Sequence, residues 1–124
     1  MTHKIPAEWW LEQAKEDLVT AGFCLRAERF YAAAFYSHQV AEKTLKWLII
    51  RTEREMPYTH SLKQLAECYD LTGSVLKAVM DLAPEYGRAK CPYHAGGVPA
   101  HLCNEERART CIKNAELVLD WAIG

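Results

Sequence analysis

The segment from Phe30 to Thr52, FYAAAFYSHQVAEKTLKWLIIRT, constrains the fold more than any other part of the chain. It runs for 23 residues without a glycine or a proline, the two residues that are least favourable inside a helix. Ala34, Ala41 and Leu45 recur on one face at helical spacing, and further apolar residues cover much of the remaining circumference. The pattern predicts a long helix at the centre of the fold, packed against several neighbours.

Four further helices are predicted around this segment, because apolar residues recur at spacings of three and four. They cover about 8–26, 61–70, 74–86 and the residues from 104 onward, with a polar loop at 87–103. Ser61 with Gln64 forms a capping box, Asn104 is the expected N-cap of the last helix, and Pro84 is a place where its helix can bend. No stretch shows the alternation of apolar and polar residues that is typical of a β-strand. We expect one domain, 1–124, with an all-α fold: an up-and-down bundle of about five helices.

Charge and cysteine content restrict the class of protein. The net charge is −1 and the isoelectric point is about 6.5, which excludes a broadly basic surface for nucleic acid. The five cysteines are irregularly spaced, and the N-terminal stretch lacks the apolar region of a signal peptide. Apolar runs such as WLII are far too short to span a membrane. We therefore expect a soluble, cytoplasmic protein with free thiols.

Three motifs occur in order in the first half of the chain. The pattern W-x-x-x-A-x-x-D-L occupies residues 10–18, Q-V-A-E-K-T-L-K occupies 39–46 and T-H-S-L occupies 59–62. Their order and spacing resemble small members of the HEPN family, and the resemblance covers nearly the whole chain. It implies a helical bundle that usually forms a homodimer, often associated with a minimal nucleotidyltransferase partner in a toxin–antitoxin or stress system.

The same resemblance implies a place for chemistry. Many HEPN proteins are metal-independent ribonucleases with an R-x(4 to 6)-H motif, and others bind nucleotides. Here R-x5-H occurs twice, from Arg88 to His94 and from Arg54 to His60. We expect His60 to help start the third helix, so position in the polar loop favours Arg88 and His94. The R-Y-P-D of a frequent variant is replaced by K-C-P-Y at residues 90–93.

RNA cleavage without a metal requires a base for the 2′-OH proton, an acid for the leaving 5′-oxygen and positive charge beside the phosphate. Histidine is the side chain whose charge changes near neutral pH, and arginine binds phosphate bidentately. Catalytic Arg88 and His94 would therefore make an endoribonuclease. One imidazole serves only one of the two proton transfers well, so a dimer that joins two loops would supply both. The alternative is a helical module that binds a nucleotide or a protein partner without turnover.

Basic side chains collect in the second half of the chain. If the loop folds against the start of the last helix, they form a positive pocket for a phosphate, together with the helix N-terminus. A solvated surface of mixed charge is the alternative. The candidates for binding a nucleotide or phosphate are Lys90, Tyr93, Arg107 and Arg109.

Four nitrogen and sulfur ligands also fall within the loop, a number that suits tetrahedral zinc. The H-x-C half of this set has a shorter spacing than is usual, and the family resemblance implies no metal. We expect no cofactor, and the alternative is a metal site at Cys91, His94, His101 and Cys103.

Three residues are candidates for a dimer interface. Trp9 and Trp10 are adjacent, so on a helix they point about 100° apart and cannot both face one core seam. His38 lies on the apolar stripe of the long helix, where a core or an interface position is expected.

Overall fold

A computed structural model describes residues 5–124, and all regular structure in this part of the chain is helical. None of the helices in that range is long and apolar enough to cross a membrane. The predicted all-α bundle is confirmed. In chain order the helices are α1 (Ala7–Arg26), α2 (Phe30–Arg51), α3 (Leu62–Tyr69), α4 (Gly73–Leu82), α5 (Glu85–Arg88), α6 (Pro92–Ala95), α7 (Pro99–Leu102) and α8 (Glu105–Ile123).

The helix α2 lies at the centre of the bundle, as its composition predicts. It packs along α1 and α8 and also contacts α3, α4, α5 and α7. Its residues Val40, Leu45 and Ile49 are fully buried. Small buried residues on the neighbouring helices, such as Ala14 on α1 and Ala115 on α8, leave room for the close approach of α2. The central helix can therefore carry side chains toward several sides of the fold.

The predicted helix starts are confirmed by their hydrogen bonds. The Ser61 hydroxyl oxygen accepts a hydrogen bond from the backbone N–H of Gln64 at 3.2 Å, which starts α3. At the start of α8, the side-chain oxygen of Asn104 accepts a hydrogen bond from the backbone N–H of Arg107 at 2.8 Å. These two caps fix the positions of His60 and Arg107, which both take part in the contacts described below.

The segment predicted as one helix followed by a loop has more structure than expected. The helix α4 ends at Leu82, and α5 begins after Pro84, because proline has no N–H to continue the hydrogen-bond ladder. Residues 87–103 contain the end of α5 and two more helices, and each of the three is four residues long. Proline opens α6 and α7, and Gly96, with φ +75°, ends α6. The polar loop is thus a chain of single helical turns.

Candidate functional site

A groove of about 580 Å³ lies where the start of α3 meets α5 and α6. We call it the histidine groove, because the imidazoles of His60 and His94 both line it. Its volume is within the range of small-molecule sites in proteins. The lining residues are His60, Ser61, Leu62, Ala83, Pro84, Tyr86, Gly87, Lys90, Cys91 and His94.

The ring of Tyr86 contacts two basic groups. The imidazole of His60 is stacked on it, with 4.6 Å between ring centroids and an interplanar angle of 11°. The ammonium nitrogen of Lys90 lies over the same ring at 3.7 Å from its centroid, a cation–π contact. Phe35 on α2 contacts Tyr86 in turn, at 6.2 Å between centroids. Tyr86 therefore holds His60 and Lys90 at the same groove.

The carboxylate of Glu42 fixes the other edge of His60. Glu42 is buried on α2, and its oxygens lie 3.1 and 3.2 Å from Nδ1 of His60. Because a carboxylate only accepts hydrogen bonds, Nδ1 carries the ring proton and donates a hydrogen bond to Glu42. The ammonium of Lys46 donates a further hydrogen bond to Glu42 at 2.9 Å. The opposite edge of the His60 ring, which carries Nε2, is thereby left for a ligand.

A third imidazole in this region, that of His38, is inside the protein. Its side chain is completely buried, and burial lowers the pKa of His38 to about 4, although nearby Glu42 opposes the change. Its Nδ1 is 3.9 Å from a Glu42 oxygen, and among the described residues its Nε2 has no hydrogen-bond partner. At neutral pH His38 is therefore an uncharged core residue.

His94 reaches the groove because residue 87 has no side chain. A Cβ atom at Gly87 would lie 3.0 Å from Cγ and 3.2 Å from Nδ1 of His94, which is closer than most such contacts. The neighbouring Tyr93 ring meets the His94 ring edge to face at 5.9 Å and is 92% exposed. Gly87 thus allows α6 to pack with His94 against α5, and Tyr93 faces solvent beside it.

Arg88 lines a different depression from His94. A cleft of about 200 Å³ lies between α5, α7 and the start of α8, and Arg88, Glu85 and Arg107 all line it. Glu85 is buried and forms ion pairs with both arginines. Arg107 also donates hydrogen bonds to the carboxylate and backbone oxygens of Asp81, at 2.8 and 2.7 Å. The structure therefore places the arginine and the histidine of R-x5-H on separate sites within one chain.

The residues predicted to bind phosphate are spread over the surface. Lys90 lines the histidine groove, and Arg107 lines the cleft with Glu85. Arg109 lies on the outer side of α8, where its guanidinium donates a hydrogen bond to Glu105 at 2.8 Å. Within residues 5–124, Lys90 forms no ion pair with a carboxylate. Lys90 is thus the member of this set that lies in the groove with its charge unneutralised.

The four residues of the alternative metal site do not come together. Cys91 and His94 line the histidine groove, whereas Cys103 lines the cleft and His101 lies exposed on α7. In the part of the chain that the structure describes, no three His, Cys, Asp or Glu side chains are grouped as metal ligands would be. This arrangement gives the metal alternative no support.

The three interface candidates have different environments. Trp9 is 59% exposed on α1, whereas His38 is buried. Trp10 packs against the core, its Nε1 is buried without a hydrogen-bond partner in the described range, and Lys46 lies over its ring at 5.0 Å. Of the three, Trp9 is the one that is accessible to a second chain.

Sequence reasoning missed the roles of His60 and Glu42 at the groove. The second R-x5-H match contains His60, and Glu42 is the only acidic residue of the segment 30–52, so both carried a signal. The contact joins residues 18 positions apart, across a turn whose path local patterns do not predict.

Comparison with known proteins identifies the family of the chain. The model of the HEPN domain matches residues 7–124. The crystal structure of ST0689, described as an archaeal HEPN homologue, is similar with a TM-score of 0.83 and 29% identity, over 98% of each chain. The crystal structure of TT1696 from Thermus thermophilus also gives a TM-score of 0.83, at 26% identity, over 94% of this chain and 95% of that one. A comparison with curated proteins gave no match.

Proposed function

Because the chain belongs to the HEPN domain family, we propose that it binds RNA or nucleotides in the histidine groove and cleaves RNA there without a metal. One observation carries the proposal: two imidazoles and the ammonium of Lys90 line a single groove. Phosphodiester cleavage needs proton transfer at two oxygens and positive charge beside the phosphate, and these side chains supply both.

Lys90 is the proposed phosphate-binding residue of the groove. Its ammonium rests on the Tyr86 ring and forms no ion pair within the described residues, so a phosphate would meet an uncompensated charge. Tyr93 is almost fully exposed beside His94, where it could stack on an unpaired base. The groove therefore offers separate contacts for the phosphate and for a base.

A second candidate function is nucleotide or protein binding without turnover. It is favoured by the position of Arg88, whose guanidinium is paired with Glu85 and lines the cleft instead of the groove. A site that lacks its arginine would bind a phosphate through Lys90 but stabilise the transition state less well.

We also propose that the protein forms a homodimer, pairs with a minimal nucleotidyltransferase and works in a toxin–antitoxin or stress system in the cytoplasm. The helix α1 supports a protein interface, because Trp9, Val19 and Phe23 are each more than half exposed on it. The cysteines support a reducing compartment, because all five are free thiols. Sedimentation of the pure protein, and pull-down of a nucleotidyltransferase encoded beside it, would test these partners.

An RNA-binding experiment with one matched pair of variants tests the groove. Lys90→Ala removes the ammonium in the groove, and Lys77→Ala removes an exposed one on α4. Binding of a short labelled single-stranded RNA would be followed by fluorescence anisotropy at several salt concentrations. We expect Lys90→Ala to weaken binding for all sequences and to reduce the slope of log K against log salt by about 1.

Two results would contradict the proposal. If Lys90→Ala and Lys77→Ala bind RNA equally well, the groove is not the binding site. If the unmodified protein binds neither RNA nor free nucleotides, the proposed function itself is wrong. Incubation of the same RNA with the protein and a chelator, followed by gel analysis, separates cleavage from binding without turnover.

A further inference from the structure

We infer that His60, oriented by Glu42, is the base that takes the 2′-OH proton and that His94 of the same chain is the acid. One groove of one chain would then hold both proton-transfer groups, and Glu42 would be a positioning residue. The inference rests on the proposed function, because it assigns the chemistry of RNA bound in the histidine groove.

The contacts of His60 are those of a base with a fixed tautomer. Nδ1 donates to the Glu42 carboxylate, so Nε2 on the other edge has the lone pair that can accept a proton. Stacking on Tyr86 holds the plane of the ring, with an interplanar angle of 11°. When Nε2 takes up a proton, the charge of Glu42 stabilises the imidazolium that forms. Tautomer, orientation and charge are thus all set by neighbouring residues.

The burial of Glu42 indicates that this arrangement is more than a surface ion pair. The residue is only 2% exposed, and taking a carboxylate out of water costs several kcal/mol. Its partner Lys46 is also buried, at 7% exposed, whereas the side chain of His60 is 58% exposed. A buried charged pair that reaches a half-exposed imidazole at a groove is well placed to orient that imidazole.

His94 has a different environment, which suits the acid. No carboxylate among residues 5–124 lies within ion-pair distance of its ring. Its side chain lies against the backbone of Gly87 and is exposed to solvent, from which it can take up a proton before each turnover. A base needs a fixed tautomer with a free lone pair, which the contact with Glu42 gives to His60, whereas the acid needs access to a source of protons, which the exposed ring of His94 has.

The proposed reaction is a transesterification, in which the 2′-oxygen replaces the 5′-oxygen at phosphorus. Nε2 of His60 takes the proton of the ribose 2′-OH while the 2′-oxygen attacks phosphorus. The bond between phosphorus and the 5′-oxygen breaks, and protonated His94 gives its proton to that oxygen. Lys90 offsets the charge that builds up on the phosphoryl oxygens. The products are a 2′,3′-cyclic phosphate and a 5′-hydroxyl, and solvent returns each imidazole to its starting state.

Three single variants and a matched control test the assignment. They are His60→Ala, His94→Ala and Glu42→Gln, with His101→Ala as the control, because His101 is an exposed histidine outside the groove. The rate of formation of the cyclic phosphate would be measured at saturating RNA. Binding would be measured with the same oligonucleotide carrying 2′-deoxyribose, which cannot react by this route.

We expect His60→Ala and His94→Ala each to lower the rate by about 10²- to 10⁴-fold, with binding of the deoxy oligonucleotide changed only a few-fold. His101→Ala should cleave as the unmodified protein does. Glu42→Gln keeps the size of the side chain, so circular dichroism should show a folded protein while the rate falls. Its specific signature is in the nitrogen-15 spectrum, where the Nδ1–H tautomer of His60 should lose population.

The outcomes separate the two proposals. If the His60→Ala variant cleaves RNA as fast as the unmodified protein does, the inference is wrong and the proposed function stands. If the unmodified protein binds RNA but does not cleave it, the inference is wrong and only the RNA-binding part of the proposed function stands. If the unmodified protein neither binds nor cleaves RNA, the proposed function is wrong and the inference falls with it. An unchanged His60 tautomer in Glu42→Gln overturns the positioning role alone.

Mixing two inactive variants tests whether one chain supplies both groups. His60→Ala and His94→Ala would be unfolded together and refolded, so that any dimer contains both chains. If each groove is built within a chain, no groove has both imidazoles and the mixture stays inactive. Recovery of about a quarter of the original rate would show that the two imidazoles come from different subunits of a dimer, and would overturn the inference.

Discussion

The burial of His38 predicts a loss of stability in mild acid. Its pKa is lowered to about 4 in the folded protein, from an ordinary value of 6.5, so the unfolded chain binds the extra proton between these two pH values. The free energy of unfolding should therefore fall as the pH falls from about 6.5 to 4. Each pH unit between the two pKa values changes the free energy of unfolding by up to about 1.4 kcal/mol. The contribution of His38 to stability therefore falls by on the order of 2 kcal/mol between pH 7 and pH 5.

The prediction is tested by comparing the unmodified protein with a variant at His38, and the charged neighbours of His38 are the same in both proteins. The pKa of His38 responds first to burial and then to Glu42, His60, Glu85 and Lys46. A variant in which only His38 is replaced keeps all four. Urea unfolding would be followed at pH 7 and at pH 5 for the unmodified protein and for His38→Gln, which does not titrate. Titration of other groups contributes to both proteins and cancels in the difference.

The prediction is refuted if the free energy of unfolding depends on pH in the same way in His38→Gln as in the unmodified protein. We expect the unmodified protein to lose on the order of 2 kcal/mol more than His38→Gln does between the two pH values. A direct measurement is available by NMR, in which the His38 ring should titrate with a midpoint near 4. A midpoint near 6.5 would show that the imidazole is solvated, and the burial of His38 in the core around α2 would be wrong.

Three further predictions concern local features. Replacing Ser61 by alanine removes the cap of α3 and should lower the free energy of unfolding by about 1 kcal/mol in urea titration, whereas no change would mean that the cap is dispensable. Gly87→Ala should slow RNA cleavage, because the new Cβ displaces His94, while the melting temperature changes little since alanine favours the helix; an unchanged rate would show that the position of His94 is not critical. Burial raises the pKa of Cys111 to about 12, so mass spectrometry after brief alkylation at pH 8 should find Cys91 modified and Cys111 not, and equal labelling would contradict the packing of α8.

The bundle could be predicted because its signals are local. The 23 residues without glycine or proline predicted α2 and its central place, and the side chains of Ser61 and Asn104 predicted the starts of α3 and α8. Each of these signals lies within a single helix or its first turn. The structure of residues 87–103 depends on something else, since single turns of helix are stable only through contacts with the rest of the fold. Prolines 92 and 99 mark where these turns begin, but the sequence alone does not show that they fold.

The groove could be predicted only in part. His94 and Lys90 were singled out because they lie in a polar segment, and the structure places both at the histidine groove. The pairing of Glu42 with His60 was not predicted, because it depends on how the chain turns between α2 and α3. The sequence predicts that His60 helps to start the third helix, but the cap of α3 is formed by Ser61, and the side chain of His60 contacts Glu42.

The pairing of Arg88 explains how the R-x5-H motif divides in this chain. Arg88 follows Glu85 by three residues, the spacing at which side chains meet on a helix, so α5 itself brings them together. Glu85 is buried and needs cationic partners, and Arg107 provides the second one from α8. The arginine of the motif is thus committed to a structural carboxylate, while His94 is left on the other side at the groove. Lys90 is the cation that lines the groove with His94, and in the proposed function it has the phosphate-binding role that the motif would give to its arginine. Cleavage should accordingly depend more on Lys90 than on Arg88, the reverse of what the motif alone predicts.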